Sequence, residues 1–174
     1  MKKHTISVEE WHELVNNGAE IPVTFYLQGN SMAPLLRIRR DLVTVVPLRR
    51  ELIPGDIVLF WDMTRGEKRY VVHRFRCFRG DKVITIGDNC YNNDAPLPRE
   101  QVLGLVSYAE RMKKHREGDL PAGSGKRIEL DNAKSRRYGL IWMKLLPVRR
   151  AAQGPYRFAR RVGSKVKRTL RKGC

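Results

Sequence analysis

The sequence predicts a mainly β fold, with a short N-terminal helix and a basic helical tail at the C-terminus. Short segments rich in β-branched and aromatic residues recur at regular spacing, and turn-forming Gly, Pro, Asn and Asp separate them. The 174 residues can bury a core, and their 41% hydrophobic and 30% charged content is typical of a globular chain. We therefore expect a small all-β sandwich or barrel.

The predicted N-terminal helix covers residues 7–18, "SVEEWHELVNNG". Ser7 and Glu10 have the spacing of a capping box, and Gly18 is a natural end for the helix. The apolar residues that share one helical face are Trp11, Leu14 and Val15.

Six segments predict strands. They are residues 21–28, 41–48, 54–61, 69–78, 81–89 and 100–111. Gly80 predicts a tight hairpin between the fourth and fifth strands. Alternation along the fourth strand is expected to place His73, Phe75 and Cys77 on one face. Residues 115–126 are polar and rich in Gly and Pro, which predicts a linker or a long hairpin tip.

The net charge of +17 is unevenly distributed. From Lys134 onward the chain has 14 Lys and Arg and no acidic residue, which leaves 21 basic against 18 acidic residues before it. In the tail, an apolar residue recurs at every fourth position among basic ones, as Phe158, Val162, Val166 and Leu170. This pattern predicts a basic amphipathic helix, which binds an anionic surface or packs on its own domain.

Several classes of protein are disfavoured. No apolar run approaches the roughly 18 residues of a membrane-spanning helix, and the N-terminal residues do not resemble a secretory signal. The three cysteines, Cys77, Cys90 and Cys174, have no patterned spacing and predict neither a disulfide framework nor a zinc site. We expect no metal and no cofactor, and a cytoplasmic location.

Three kinds of side chain could together form a hydrolytic site. Ser31 follows the first predicted strand, His73 lies within the fourth, and Asp88 and Asp94 lie in the loop "GDNCYNND". A serine hydroxyl becomes a good nucleophile when a base takes its proton, and histidine, with an ordinary pKa of about 6.5, serves near neutral pH. A carboxylate then orients the imidazole. Taken singly, these residues are more often a turn serine, a structural histidine and loop caps.

The order of several short motifs is more specific than any one of them. They are "GNSMAPLLR", "DLVTVV", "PGDIVLF", "YVVHRF", "ITIGDNCYNND" and "EQVLGLV", within residues 25–107. In order and rough spacing they resemble the signal peptidase I family. His73 stands where one branch of that family has a lysine. The chain therefore resembles the other branch, which uses Ser, His and Asp and occurs in archaea and the endoplasmic reticulum.

The resemblance implies a role for each candidate residue. Ser31 would be the nucleophile, His73 the general base, and Asp94 the carboxylate that orients His73. Asp88 matches an aspartate of structural importance in the family and is the second choice for the orienting role. The resemblance also implies a coiled, antiparallel β domain.

The implied domains are a catalytic β domain over 1–111, a polar linker or hairpin tip over 112–136, and a basic amphipathic helical tail over 137–174.

The chain departs from the family in three places. Gly29 replaces a serine whose hydroxyl often helps to bind the oxyanion, and Asn30 could substitute for it. Cys90 and Tyr91 stand where the family prefers small polar residues. No segment resembles the family's membrane anchor. We expect the basic tail to attach the protein peripherally at the inner membrane surface.

The implied activity is that of a serine endopeptidase. It would cut a leader peptide or pre-protein after small residues through an acyl-enzyme.

Two alternatives remain open. One is a LexA-like self-cleaving regulator, although such proteins use lysine as the base and only 30 residues precede Ser31. The other is a degenerate family member that acts as a binding module, with its polycationic tail on anionic membrane or on nucleic acid. Binding to nucleic acid would be non-specific, since no recognition motif is present.

Overall fold

The computed structural model of the protein describes residues 6–63, 66–112 and 125–152. Over these ranges the protein is mainly β, as the sequence predicts, with one antiparallel sheet of seven strands. The strands are β1 (Val23–Tyr26), β2 (Asp41–Pro47), β3 (Ile57–Asp62), β4 (Arg69–Arg79), β5 (Lys82–Ile86), β6 (Val102–Arg111) and β7 (Lys126–Glu129). The helices are α1 (Val8–Asn16), a 3-10 turn at Arg99–Gln101 and α2 (Ala133–Lys144), and residues 146–152 are also helical.

The strand order is β1-β2-β6-β3-β4-β5, and β7 also pairs with β6. One edge of β6 pairs with β2, while the other edge pairs first with β3 and then with β7. Register shifts interrupt three of these pairings, at Thr44/Val45, Leu59/Phe60 and Phe75/Cys77. Such bulges bend and twist a strand locally, which curves this sheet.

Helix α1 has the predicted capping box. The Ser7 hydroxyl accepts from the Glu10 N–H at 3.1 Å, and the Glu10 carboxylate accepts from the Ser7 N–H at 2.7 Å. Trp11 anchors the helix because its ring is fully buried and its indole N–H donates to the Ile21 carbonyl at 2.7 Å. Just beyond the helix, Gly18 adopts a φ of 91°, a left-handed conformation that favours glycine.

Apolar side chains pack on both faces of the sheet, because alternate residues of β3 belong to different clusters. The first cluster includes Ile57 and Leu59, and the second includes Val58 and Phe60. Met32, from the turn that carries Ser31, is buried in the first cluster. The candidate nucleophile therefore follows a strand and precedes a core residue, which limits the movement of its backbone.

The structure adds detail to the predicted linker and tail. Strand β7 and the start of α2 fall inside residues 112–136, and β7 forms an antiparallel pair with β6. Helix α2 falls mostly inside residues 137–174 and packs on the sheet domain. Residues 113–124 and the amphipathic stripe within 153–174 lie outside the described residues. Across the described ranges, no helix is both long enough and apolar enough to cross a bilayer.

The expectation that His73, Phe75 and Cys77 share one face holds only in part. His73 and Phe75 are buried, whereas Cys77 is exposed. The β-bulge between Phe75 and Cys77 interrupts the alternation.

A buried carboxylate joins α2 to the loop before β3. Asp56 accepts two hydrogen bonds from Arg50, at 2.7 and 3.0 Å, one from the Ile53 N–H at 2.8 Å and one from Arg136 at 3.2 Å. Next to it, Gly55 has no room for a side chain, since an added Cβ would lie 2.7 Å from the Arg136 carbonyl oxygen. The close backbone approach and the ion pairs together fix the first turn of α2.

We predict that the Asp56→Asn substitution lowers the free energy of unfolding by about 1–3 kcal/mol near neutral pH, because Arg50 and Arg136 lose a charged hydrogen-bond partner and keep, among the described residues, only the Asp131 carboxylate. Burial raises the pKa of Asp56, but the hydrogen bonds from Arg50 and Ile53 outweigh burial and lower the pKa below its ordinary value of 3.8. A lowered pKa in the folded state stabilises the protein above pH 3.8, and this contribution is lost as the pH falls further.

Urea denaturation at about pH 7 and about pH 3 measures this effect. The difference between the native protein and Asp56→Asn should shrink at the lower pH. Asp81→Asn, in the exposed β4–β5 turn, is the matched control and should change stability little at either pH. Equal losses for the two variants would contradict the role of Asp56.

Candidate active site

Ser31 lies in a turn that begins five residues after β1. The Ala33 N–H donates to the Asn30 carbonyl at 3.1 Å, and the Leu36 N–H donates to the Met32 carbonyl at 2.9 Å. Leu36, like Met32, is buried in the core. The turn is therefore held by its own backbone and by two apolar anchors, while Ser31 itself is half-buried.

His73 lies on β4 with its ring almost completely buried, at 7% exposure. Its Nδ1 lies 2.6 Å from the Asp94 Oδ2 atom. An ionised carboxylate only accepts hydrogen bonds, so Nδ1 carries the proton in this pair and Nε2 is free to accept one. The Phe60 ring packs edge-on against the imidazole at a centroid distance of 6.0 Å.

Asp94 is itself held from two sides by β5. The Thr85 hydroxyl donates to the same Oδ2 at 2.6 Å, and the Asp94 N–H donates to the Thr85 carbonyl at 2.9 Å. Two groups, the Thr85 hydroxyl and His73 Nδ1, therefore converge on the same carboxylate oxygen. The contact between Asp94 and His73 is therefore built into the sheet, and only 28% of the Asp94 side chain is exposed.

Gly87 lies close to both Ser31 and His73. A Cβ added to Gly87 would lie 2.7 Å from the Ser31 carbonyl oxygen and 2.9 Å from His73 Nε2. The Ser31 carbonyl also accepts from the Asn89 N–H at 2.7 Å, which ties the loop after β5 to the turn of Ser31. Ser31 Oγ makes no hydrogen bond within the described part of the chain. Its proton is therefore not shared with His73 in this structure, which is common in sites without substrate.

Asp88 has a different environment from Asp94. Its carboxylate receives two parallel hydrogen bonds from Arg74, at 2.8 Å each, and both side chains are almost fully buried. Arg74 also donates to the Gly55 carbonyl at 2.7 Å. Asp94, and not Asp88, contacts His73. Asp88 instead fixes the beginning of the loop that carries Asp94.

Helix α2 and the residues after it hold the same loop from outside. Trp142 Nε1 and Arg149 both donate to the Asp88 carbonyl, and Arg150 donates to the Tyr91 carbonyl at 2.7 Å. The Arg149 guanidinium also lies over the Trp142 ring, 4.4 Å from its centroid. The described part of the predicted tail, up to Arg150, is thus a structural support of the candidate site.

The positions that depart from the family pattern surround Ser31 and His73. Gly29 and Asn30 are exposed, and a Cβ added to Gly29 would have no atom outside its chain neighbours within 4 Å. The Cys90 sulfur would lie 2.7 Å from a Cβ on Gly87, so the thiol is close to His73. Burial, and then the negative charge of Asp94, raise the pKa of Cys90. Cys90 is therefore a neutral thiol near pH 7.

Sequence reasoning missed Gly87, Thr85 and Arg74 as parts of the site. The sequence did contain a signal for Arg74, which is a charged residue within a run of strand formers. A charged residue in a buried strand needs a partner of opposite charge, so its position predicts an ion pair. Thr85 and Gly87 had no such signal, because their roles depend on which atoms approach them from distant segments.

Comparisons with protein-family models, with curated proteins and with solved structures gave no significant match.

We predict that Gly87→Ala separates the two halves of the site. The added methyl group meets the Ser31 carbonyl and His73 at less than contact distance, so the loop must move away and the hydrogen bond between Asn89 and Ser31 breaks. Overpacking of this kind costs about 1–3 kcal/mol. Hydrogen exchange of the Asn89 amide should become faster, while the amides of β6 stay protected.

Gly29→Ala is the matched control, because nothing lies within 4 Å of a Cβ at that position. It should leave both the exchange rate and the stability close to native values. Unchanged exchange at Asn89 in Gly87→Ala would contradict the geometry described for this site.

Proposed function

We propose that the protein is a serine endopeptidase in which Ser31 is the nucleophile, His73 the general base and Asp94 the residue that orients His73. The main support is the contact of Asp94 with Nδ1 of His73, together with the position of Gly87, where an added Cβ would lie within 3 Å of both the Ser31 carbonyl oxygen and His73 Nε2. The buried position of the imidazole supports it further, since a base of this kind must be held in one orientation and tautomer.

The proposed reaction has two steps. His73 Nε2 takes the Ser31 proton as Oγ attacks the carbonyl carbon of the scissile bond, and the imidazolium then protonates the leaving amine. Water, activated by the same nitrogen, hydrolyses the acyl-enzyme and regenerates the Ser31 hydroxyl. Asp94 stabilises the transient charge of His73, and Thr85 holds Asp94 through its hydroxyl.

The negative charge that develops on the substrate oxygen needs donors. We propose the Ser31 N–H as one of them, and the exposed Asn30 amide is available beside it. Gly29 has no side chain to contribute, so we expect a slow enzyme, because one such donor is worth about 3 kcal/mol of the barrier.

We propose a peptide or pre-protein as the substrate. Strand β1, which leads to Ser31, is an edge strand: among the described strands it pairs only with β2, and no described strand pairs with its other side. An extended peptide can add to such an edge through main-chain hydrogen bonds. The family resemblance further implies cleavage after small residues in a leader or signal-like segment.

The proposed location is cytoplasmic, with peripheral attachment at the inner membrane surface through the basic C-terminal residues. Any binding of nucleic acid by these residues would be non-specific.

We predict that the native protein cleaves peptides with small residues on the acyl side of the bond. Ser31→Ala and His73→Ala should abolish cleavage, and Asp94→Asn should lower kcat by about 10³- to 10⁴-fold because the imidazole loses its orienting partner. A peptide library read by mass spectrometry measures cleavage and site preference together.

The matched controls are His12→Ala, on helix α1, and Asp81→Asn, in the β4–β5 turn, and both should cleave like the native protein. Equal cleavage by His73→Ala and His12→Ala would contradict the proposal. Fragments of the protein itself, with no cleavage of added peptides, would favour a self-cleaving regulator instead.

A second prediction concerns Gly29→Ser. The space around Gly29 accommodates a side chain, and its backbone does not require glycine, so the substitution adds a hydroxyl beside Ser31 without a clash. If the hydroxyl binds the oxyanion, kcat should rise by about tenfold to a hundredfold with little change in KM. Gly29→Ala is the control, because it adds a side chain without a hydroxyl and so measures the effect of side-chain size alone. Equal rates for the two variants would contradict the proposed oxyanion position.

A further inference from the structure

The outer face of α2 carries large apolar side chains that no described residue covers. We define the α2 apolar face as Leu140 and Ile141 of α2 together with Leu145, which ends α2, and Val148, in the helical residues that follow it; these side chains are 38%, 57%, 42% and 64% exposed. They are half of the eight large hydrophobic residues that are exposed in the described part of the chain, and they lie within nine residues. Such clustering on a helix marks an interaction surface.

The exposure follows from how α2 packs. The side of the helix that faces the sheet domain carries residues at a helical spacing, namely Ser135, Gly139, Trp142 and Leu146. The approach is close there, since a side chain on Gly139 would collide with Arg74. The opposite side of the helix therefore faces outward. An outward face of a helix is normally polar, so the α2 apolar face is not explained by packing within the domain.

Basic residues are interspersed with the side chains of the α2 apolar face. Lys134, Arg137 and Lys144 are exposed on α2, and Arg150 is exposed just beyond it. From Ala133 to Cys174 the sequence has no Asp or Glu. Lys and Arg pack their aliphatic stems on apolar surface and extend their charged ends into water. Large apolar side chains mixed with such cations are therefore compatible with a helix that lies in the plane of an anionic membrane, with the apolar side chains among the lipids and the charged ends among the headgroups.

We propose that the α2 apolar face docks on an anionic lipid surface. The charge pattern disfavours the chain's own residues 153–174 as the occupant, since they carry eight Lys and Arg and no acid and would repel Lys134, Arg137 and Lys144. The apolar residues disfavour nucleic acid, because phosphate contacts require cations and gain nothing from exposed aliphatic side chains. No aromatic ring is part of this face to stack on a base.

Docking by this face has a consequence for the candidate site, and that consequence rests on the proposed function. On the inner side of the same helix, Trp142 donates to the Asp88 carbonyl. Docking would therefore place the loop that carries Asp94 one helix diameter, about 10 Å, from the lipid surface. A protease in this position would meet substrates that emerge from the membrane. The docking itself does not depend on catalysis.

The test is sedimentation of the full-length protein with vesicles of phosphatidylcholine and phosphatidylglycerol. The variant Ile141→Ser/Val148→Ser should bind about tenfold more weakly than the native protein, because two side chains no longer enter the lipid. Ile53→Ser/Met63→Ser, which removes two side chains of similar exposure (45% and 50%) elsewhere, is the matched control and should bind like the native protein. Circular dichroism confirms that all variants fold.

Equal binding by Ile141→Ser/Val148→Ser and the native protein would overturn the proposal and assign vesicle binding to residues 153–174. The absence of binding by the native protein would also overturn it. If a short DNA duplex binds the native protein and binds Ile141→Ser/Val148→Ser more weakly, the face would be assigned to nucleic acid instead. Ser31→Ala should bind vesicles like the native protein, so a failure of the proposed protease activity remains distinguishable from a failure of docking.

Discussion

The buried ion pair between Arg74 and Asp88 connects three parts of the protein that are distant in sequence. Arg74 comes from β4, Asp88 from the loop after β5, and the same guanidinium donates to the Gly55 carbonyl before β3. Burying two charges is unfavourable unless their hydrogen bonds are satisfied, and here Arg74 uses both edges of its guanidinium. Removal of either partner would leave a buried charge uncompensated, which costs about 3–5 kcal/mol. The positions of the loop and of α2 depend on this pair.

The geometry of the candidate site follows from that arrangement. Arg74 is the neighbour of His73 in β4, so a single strand holds both the imidazole and the anchor of the loop that reaches it. With Asp88 fixed, the loop brings Gly87 between Ser31 and His73 and returns Asp94 to β5, where Thr85 holds it. Helix α2 completes the arrangement from outside through Trp142. The hydrogen bonds of Thr85 and Trp142 thus add to the constraint that the Arg74–Asp88 pair places on the loop.

Much of the fold could be predicted because its signals are local. The Ser7 capping box, the strand segments and the hairpin at Gly80 each depend on neighbouring residues, and they match the elements of the structure. The proximity of His73 and Asp94 is different, since 21 residues separate them, and only the resemblance to a family suggested it. The packing of α2 against the sheet could not be predicted. It depends on close approach at Gly55 and Gly139, while the basic composition of this segment is typical of a solvated tail.

The central claim is that His73, held by Asp94, activates Ser31. Reaction with a fluorophosphonate tests it without knowledge of the substrate, because an activated serine oxygen attacks phosphorus and displaces fluoride while the base takes the proton. The account predicts one phosphonate per chain, mapped to Ser31 by mass spectrometry, with labelling absent in Ser31→Ala and strongly slowed in His73→Ala but not in His12→Ala. Labelling that is absent from the native protein, or that occurs at Ser31 equally fast in His73→Ala, would contradict the account.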